Sequence, residues 1–235
     1  MSKQTRVCVV TGVGPGNGAS FSRRFAAAGY RVAMLARSRE ALREFENQIP
    51  DARGYAVDVA DAQAVSDAFS RIRADLGPVD VLVHNAGSGT FGSFLDMKPE
   101  VFEAAWRTNA LGLLLCGQEA VKDMLSAGHG SVIVIGATAA LRGGAGFAAF
   151  APAKAAQRSL AESMARSLGP QGIHVAYVIV DGVIDIPRTR QALRDRPDEF
   201  FLKPDQIAET VQHLVEQDRS AWTFELDLRP FGEKF

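Results

Sequence analysis

Cysteine is scarce: Cys8 and Cys116 are the two cysteines in 235 residues. Both sit in apolar runs, VCVV and LLLCG. There a buried reduced thiol is expected, not a disulfide or a metal site. A charge excess is also missing, with 26 Lys and Arg against 27 Asp and Glu. The basic residues are scattered and form no stripe, which excludes a nucleic-acid partner from the expected functions. No apolar run approaches a membrane span. The start, MSKQTRVCVVTG, has no apolar leader segment, so we expect a cytoplasmic protein with no membrane partner. Repeats, low-complexity stretches and linkers are absent too. We therefore read residues 1–235 as a single domain, long enough for a sizeable core.

What the sequence does contain is a regular alternation. Apolar runs rich in Val, Ile and Leu occur at 6–10, 31–35, 54–59, 79–85, 131–137 and 174–180, with an alternating run at 221–228. Helical patterns lie between them, at 18–29, 38–48, 61–76, 98–127, 148–168 and after Pro204, which suits a first helical turn. The central runs are continuously apolar, as parallel strands covered on both faces must be. The expected fold is α/β: a Rossmann-like, doubly wound parallel sheet of about seven strands. Residues 183–203 are polar and irregular, and suit a mobile flap over a pocket.

The first strand runs into VVTGVGPGNGAS, which opens the first helix. Gly12 allows a tight turn, Gly16 allows close approach of a pyrophosphate, and Gly18 allows the helix to pack against the strand. Asn17 completes this cradle at the helix start, where N–H groups and the helix dipole favour an anion. The second strand ends in LARSRE, with no carboxylate to repel a phosphate. Arg37 and Arg39 offer guanidinium partners for one, which favours NADP(H) over NAD(H). Asn85 follows VLVH at a strand's carboxyl end, where open α/β sheets bind ligands. Lys154 lies among alanines on a helix that reads as buried, so it needs a polar partner.

Taken together, Thr11-Gly12-x-x-x-Gly16-x-Gly18, Asp58-Val59, Asn85-Ala86-Gly87, Asn109 and Lys154 resemble the short-chain dehydrogenase/reductases in type, order and spacing. The resemblance spans essentially the whole chain. It implies that Asp58 and Val59 border the adenine and that Asn85, Ala86 and Gly87 support the cofactor. It also implies that Lys154 bonds the nicotinamide ribose, that Asn109 holds a water in a proton relay, and that Val183 and Ile184 lie near the carboxamide. It further implies a homodimer or homotetramer built on the helices at 98–127 and 148–168.

The pattern breaks where protons are handled. The family's catalytic tyrosine maps to Phe150 and its serine to Ala137. Its proline after the sixth strand maps to Asp181. Phe147 occupies the position that enoyl reductases of the superfamily use for their tyrosine. Phenylalanine cannot protonate an alkoxide, and losing a general acid costs about 10²–10⁴-fold. Thr138, Lys154, Asp181 or a water remain as donors, although strand alternation would turn Thr138 away. Arg142 could meet an anionic substrate group. The expected activity is hydride transfer to an activated C=C, C=N or C=O bond, with Lys154 and Asn109 as the retained catalytic pair. The alternative is a weak or inactive cofactor-binding or structural subunit.

Overall fold

The computed structural model describes residues 5–233; the polar start, residues 1–4, lies outside the described residues. Among the described residues nine strands form: β1 Val7–Thr11, β2 Arg31–Ala36, β3 Ala52–Ala56, β4 Val81–His84, β5 Gly130–Ala137, β6 Ile173–Val180, β7 Val183–Ile184, β8 Phe201–Leu202 and β9 Glu225–Leu228. The helices are α1 Asn17–Ala27, α2 Arg39–Gln48, α3 Ala62–Asp75, α4 Pro99–Trp106, α5 Gly112–Ala127, α6 Phe150–Leu168, α7 Pro187–Ala192 and α8 Pro204–Val215. Seven strands form one parallel sheet in the order β3-β2-β1-β4-β5-β6-β9. The chain winds one way from β1 and the other way from β4, so the switch point lies between those two strands.

The apolar runs become strands because helices cover both sides. Val7 and Val9 pack into one core with Phe69, Leu113 and Met124. Cys8 and Val10 point the other way, into a core with Phe21, Phe25 and Leu42. Both thiols are free and buried. Helix starts follow local chemistry. Ser38 caps α2 by accepting from Ala41 N–H, and Asp61 caps α3 by accepting from Ala64 N–H. Pro204 opens α8, as expected.

Three differences from the sequence reading matter. Residues 99–127 are continuously helical, as expected, but a π turn, Arg107–Leu111, interrupts the α register between α4 and α5 and carries Asn109. The third strand ends at Ala56, not at 59, because Asp58 Oδ1 accepts from Ala60 N–H and turns the chain. Finally, 183–203 is folded. It contains the short parallel pair β7–β8, helix α7 and a single 3-10 turn, Asp198–Phe200. Among the described residues, no helix is long and apolar enough to cross a membrane.

Candidate active site

Thr11, at the end of β1, ties the switch point together. Its hydroxyl accepts from the N–H groups of Asn85 (3.1 Å) and Ala86 (3.0 Å). The hydroxyl's one proton is left for His84 Nδ1, 3.2 Å away, so the imidazole carries its own proton on Nε2. Burial, and secondarily the charge of Lys154, lowers the pKa of His84 to about 3. Asn85 Nδ2 donates to the Gly12 carbonyl at 2.9 Å. Gly12 has φ +68°, and a Cβ there would lie 2.6 Å from Ala86 Cα. A Cβ at Gly18 would lie 2.7 Å from the Gly12 carbonyl oxygen. Two glycines thus let β1, α1 and the end of β4 meet.

A cavity of about 650 Å³ opens beside this crossing, lined by Gly12, Arg37, Ser38, Asp58, Val59, Ala86 and Gly87 among others. Arg37 and Ser38 supply its cationic, hydroxyl-bearing side. Arg39 does not join them, contrary to the sequence reading. Its Nη1 donates to the Gly54 carbonyl at 2.5 Å and meets Glu46 at 3.4 Å. Spacing alone could not say which of two neighbouring arginines would turn back onto α2 and the backbone of β3.

Asn17 is buried at the start of α1, and its Oδ1 has no partner among the described groups. Gly16 has φ +132°, and the position of a Cβ there lies 2.5 Å from Ile186 Cγ2. The segment after β6 therefore rests directly on the third glycine of the loop. Val183 pairs with Phe201 in β7–β8 and does not line the cavity.

Lys154, 6% exposed, lies behind Gly87. Its Nζ donates to the Ile135 carbonyl and to Gln157 Oε1, each at 3.0 Å. Burial lowers its pKa to about 7. Asn109 Nδ2 donates to the carbonyls of Ala105 (2.9 Å) and Ser88 (3.2 Å), while Oδ1 is buried without a partner. Gln157 was not singled out by sequence. It reads as one more helical residue, and its partner is 48 residues away.

Phe150 opens α6 and packs edge-on against Phe91 (5.5 Å between ring centres) and Phe147 (6.0 Å). Ala137 ends β5. Thr138 follows in a 3-10 turn, where its hydroxyl donates to the Asp181 carboxylate; that carboxylate also meets Arg229 at 3.2 Å. Asp181 and Thr138, both considered as donors, are thus committed to each other. Beyond Phe147 lies an apolar cavity of about 870 Å³, lined by Phe94, Met97, Phe102 and Leu141, with Arg142 in its wall. Ala137, Phe150 and Lys154 line neither cavity.

A doubly wound sheet with a glycine crossing and a ligand-sized cleft at its switch point defines a Rossmann-type α/β protein. Within that class, the chain belongs to the short-chain dehydrogenase family, an oxidoreductase family whose model matches residues 6–197. It is 30% identical over 219 residues to carbonyl reductase family member 4 of Danio rerio, covering 90% of this chain and 92% of that protein. A solved short-chain dehydrogenase from Rhodopseudomonas palustris superposes with TM-score 0.83 at 32% identity, covering 97% of this chain and 100% of that one. A metagenomic short-chain oxidoreductase, solved in complex with NADP, has TM-score 0.83 at 30% identity, covering 96% and 97%.

Proposed function

We propose that this chain binds NADP(H) and transfers hydride to an activated C=C, C=N or C=O bond without a tyrosine or serine proton donor. The observation that carries the reading is Lys154, buried behind the cleft and hydrogen-bonded on two sides. A structural scaffold has no need to bury an amine there. The 650 Å³ cleft fits the adenosine end: Asp58 and Val59 border the base, and Arg37 with Ser38 receives a 2′-phosphate. Asn17 and the N–H groups that open α1 suit the diphosphate. Asn85, Ala86 and Gly87 brace the cleft floor, and Lys154 holds the ribose. Bound there, the dinucleotide would supply the hydride.

The chain's own contribution is to bind, orient and exclude water. Phe150 and Ala137, at the positions the resemblance gives to tyrosine and serine, replace two hydroxyls with hydrocarbon. Water or Lys154 then has to supply any proton, since the Asp181 carboxylate is held by Thr138 and Arg229. The NADP complex of the metagenomic relative supports the choice of cofactor. Half-exposed Leu114 and Leu125 on α5 support a homodimer or homotetramer built on that helix and α6. A second reading, cofactor binding without turnover, is favoured by the Thr138 hydroxyl and the Asp181 carboxylate being bound to each other.

Fluorescence titration with NADPH, NADP⁺ and NADH tests the binding. Micromolar NADPH binding is expected, weaker for NADH; no association at millimolar nucleotide removes the proposal. A substrate screen then separates turnover from binding alone. Phe150→Tyr with Ala137→Ser should raise ketone reduction by at least about 10²-fold. An unchanged rate in a variant that still binds NADPH would mean the rest of the site is not intact.

A further inference from the structure

Gln157 lies one turn beyond Lys154 on α6 and is fully buried. Its Oε1 accepts from Lys154 Nζ at 3.0 Å, and its Nε2 donates to the backbone carbonyl of Asn109 at 3.1 Å. The two ends cannot be exchanged, because the lysine needs an acceptor and the carbonyl needs a donor. That carbonyl belongs to the π turn Arg107–Leu111, where the chain departs from the regular helical ladder.

We propose that Gln157 is a positioning residue whose amide closes the proton path between Lys154 and Asn109, filling the link that the family resemblance gives to water. This rests on the NADP(H)-binding reading and deepens it. A water can accept a proton from one side, release another to the far side and rotate back. An amide spanning the same two atoms cannot. To pass a proton, Oε1 would have to be protonated while Nε2 surrendered a proton to a carbonyl oxygen. That leaves an imidic acid beside a protonated peptide group, and both are strongly disfavoured. Lys154 is therefore a fixed group for holding ribose, with no resupply of protons through the Asn109 backbone carbonyl. Loss of the phenol at Phe150 and loss of the route that would recharge it go together.

The surroundings of Lys154 are otherwise neutral. His84 approaches from β4 as an uncharged imidazole. Tyr177, on β6, has its hydroxyl 3.5 Å from the Lys154 carbonyl, and burial raises its pKa above the ordinary value. Burial is the cause of the lysine's own lowered value. Gln157 is the polar side chain that its amine touches.

Two measurements on the full chain test the idea. The first needs no cofactor: NMR titration of 13C-lysine-labelled protein, with Lys154 assigned by its loss in Lys154→Met. Gln157→Glu should raise the Lys154 midpoint by about one unit or more, since a carboxylate then faces the amine. Gln157→Ala, which makes room for water, should raise it less. Gln157→Met, which fills the space without a polar end, should not raise it. The second measurement uses the Phe150→Tyr, Ala137→Ser background. Adding Gln157→Ala should raise kcat for a ketone by about tenfold or more, and Gln157→Met should not. If Gln157→Ala leaves both the lysine midpoint and kcat unchanged, or if Met raises kcat as much as Ala, the proposal is overturned. Should the double variant be inactive, the lysine titration decides alone. Failure of the wild type to bind NADPH would sink the proposed function, while the titration would still report on Gln157.

Discussion

Gly12 and Gly14 lie two residues apart in the same loop, yet one methyl group separates their tolerances. At Gly12 the backbone has φ +68° and a Cβ would lie 2.6 Å from Ala86 Cα and 2.8 Å from its nitrogen. Neither is the end of a flexible side chain, so β1 and β4 would have to part. Gly12→Ala should therefore destabilise the protein by at least about 2 kcal/mol and abolish nucleotide binding. A Cβ at Gly14 meets nothing within 4 Å, so Gly14→Ala should stay within about 0.5 kcal/mol of wild type. Urea unfolding of both variants checks the contrast, and equal shifts in midpoint would refute it. The glycines, Asn85 and Lys154 were legible in the sequence because their residue types are unusual where they stand. Gln157 and Arg39 were not. A glutamine or an arginine on a helix has many ordinary uses, and the partner that gives each its role comes from a distant turn or strand.

The element that sequence described least well is the segment after β6. Its polarity and prolines suggested a mobile flap, but it is braced by its own charges. Asp185 meets Arg190 at 2.6 Å and Lys203 at 2.7 Å, and these hydrogen bonds hold its carboxyl well below the usual range. Arg190 also lies 4.0 Å over the Phe201 ring and 2.6 Å from Asp198. The strap so formed sets Ile186 against Gly16, on the side of the cleft proposed for the diphosphate, and leaves the side proposed for adenosine open. A full dinucleotide must displace that side chain; a ligand ending at the adenosine need not. Ile186→Ala should tighten NADPH binding about fivefold, a gain of roughly 1 kcal/mol, and leave 2′,5′-ADP affinity unchanged. Calorimetry with both ligands checks it, and a parallel change in the two affinities would show that Ile186 acts on the whole cleft. The order of strands and helices was readable because hydrophobic period carries it. The π turn at Arg107–Leu111 was not, since RTNAL has no breaker and one extra residue is absorbed without a Pro or Gly to mark it.

Across the whole molecule, the buried groups bias stability with pH in a definite direction. The His84 pKa falls from 6.5 to about 3 on folding. Between those values the unfolded chain binds a proton that the native state refuses, so stability falls as the medium is acidified through this window. The Lys154 pKa falls from 10.5 to about 7, so stability also rises with pH from about 7 upward, as the native amine sheds a proton that the unfolded one keeps. Cys116 acts the other way. Burial raises it from 9.0 to about 12, so above pH 9 the unfolded thiol ionises first and stability declines. Tyr30 and Tyr55, each raised from 10.0 to about 12 with burial as the largest cause, add to that decline. The opposing slopes place maximum stability at about pH 9, where the rise from Lys154 meets the decline from the two buried thiols. The acid side is attributable to two buried imidazoles, because burial lowers the pKa of His174 as well as that of His84. His84 alone contributes a slope of at most about 1.4 kcal/mol per pH unit between its two pKa values. Above about pH 5 most carboxylates are already ionised, so His84 and His174 carry most of the linked titration up to pH 6.5. His84→Asn removes the titration and keeps a donor and an acceptor for Thr11. Its Tm should therefore fall less than the wild-type Tm when the pH is lowered from about 6.5 to 4.5, with the two curves parallel above about pH 7. Calorimetric scans of both proteins across that range would read the difference directly, and curves parallel throughout would mean that His84 does not contribute to acid sensitivity.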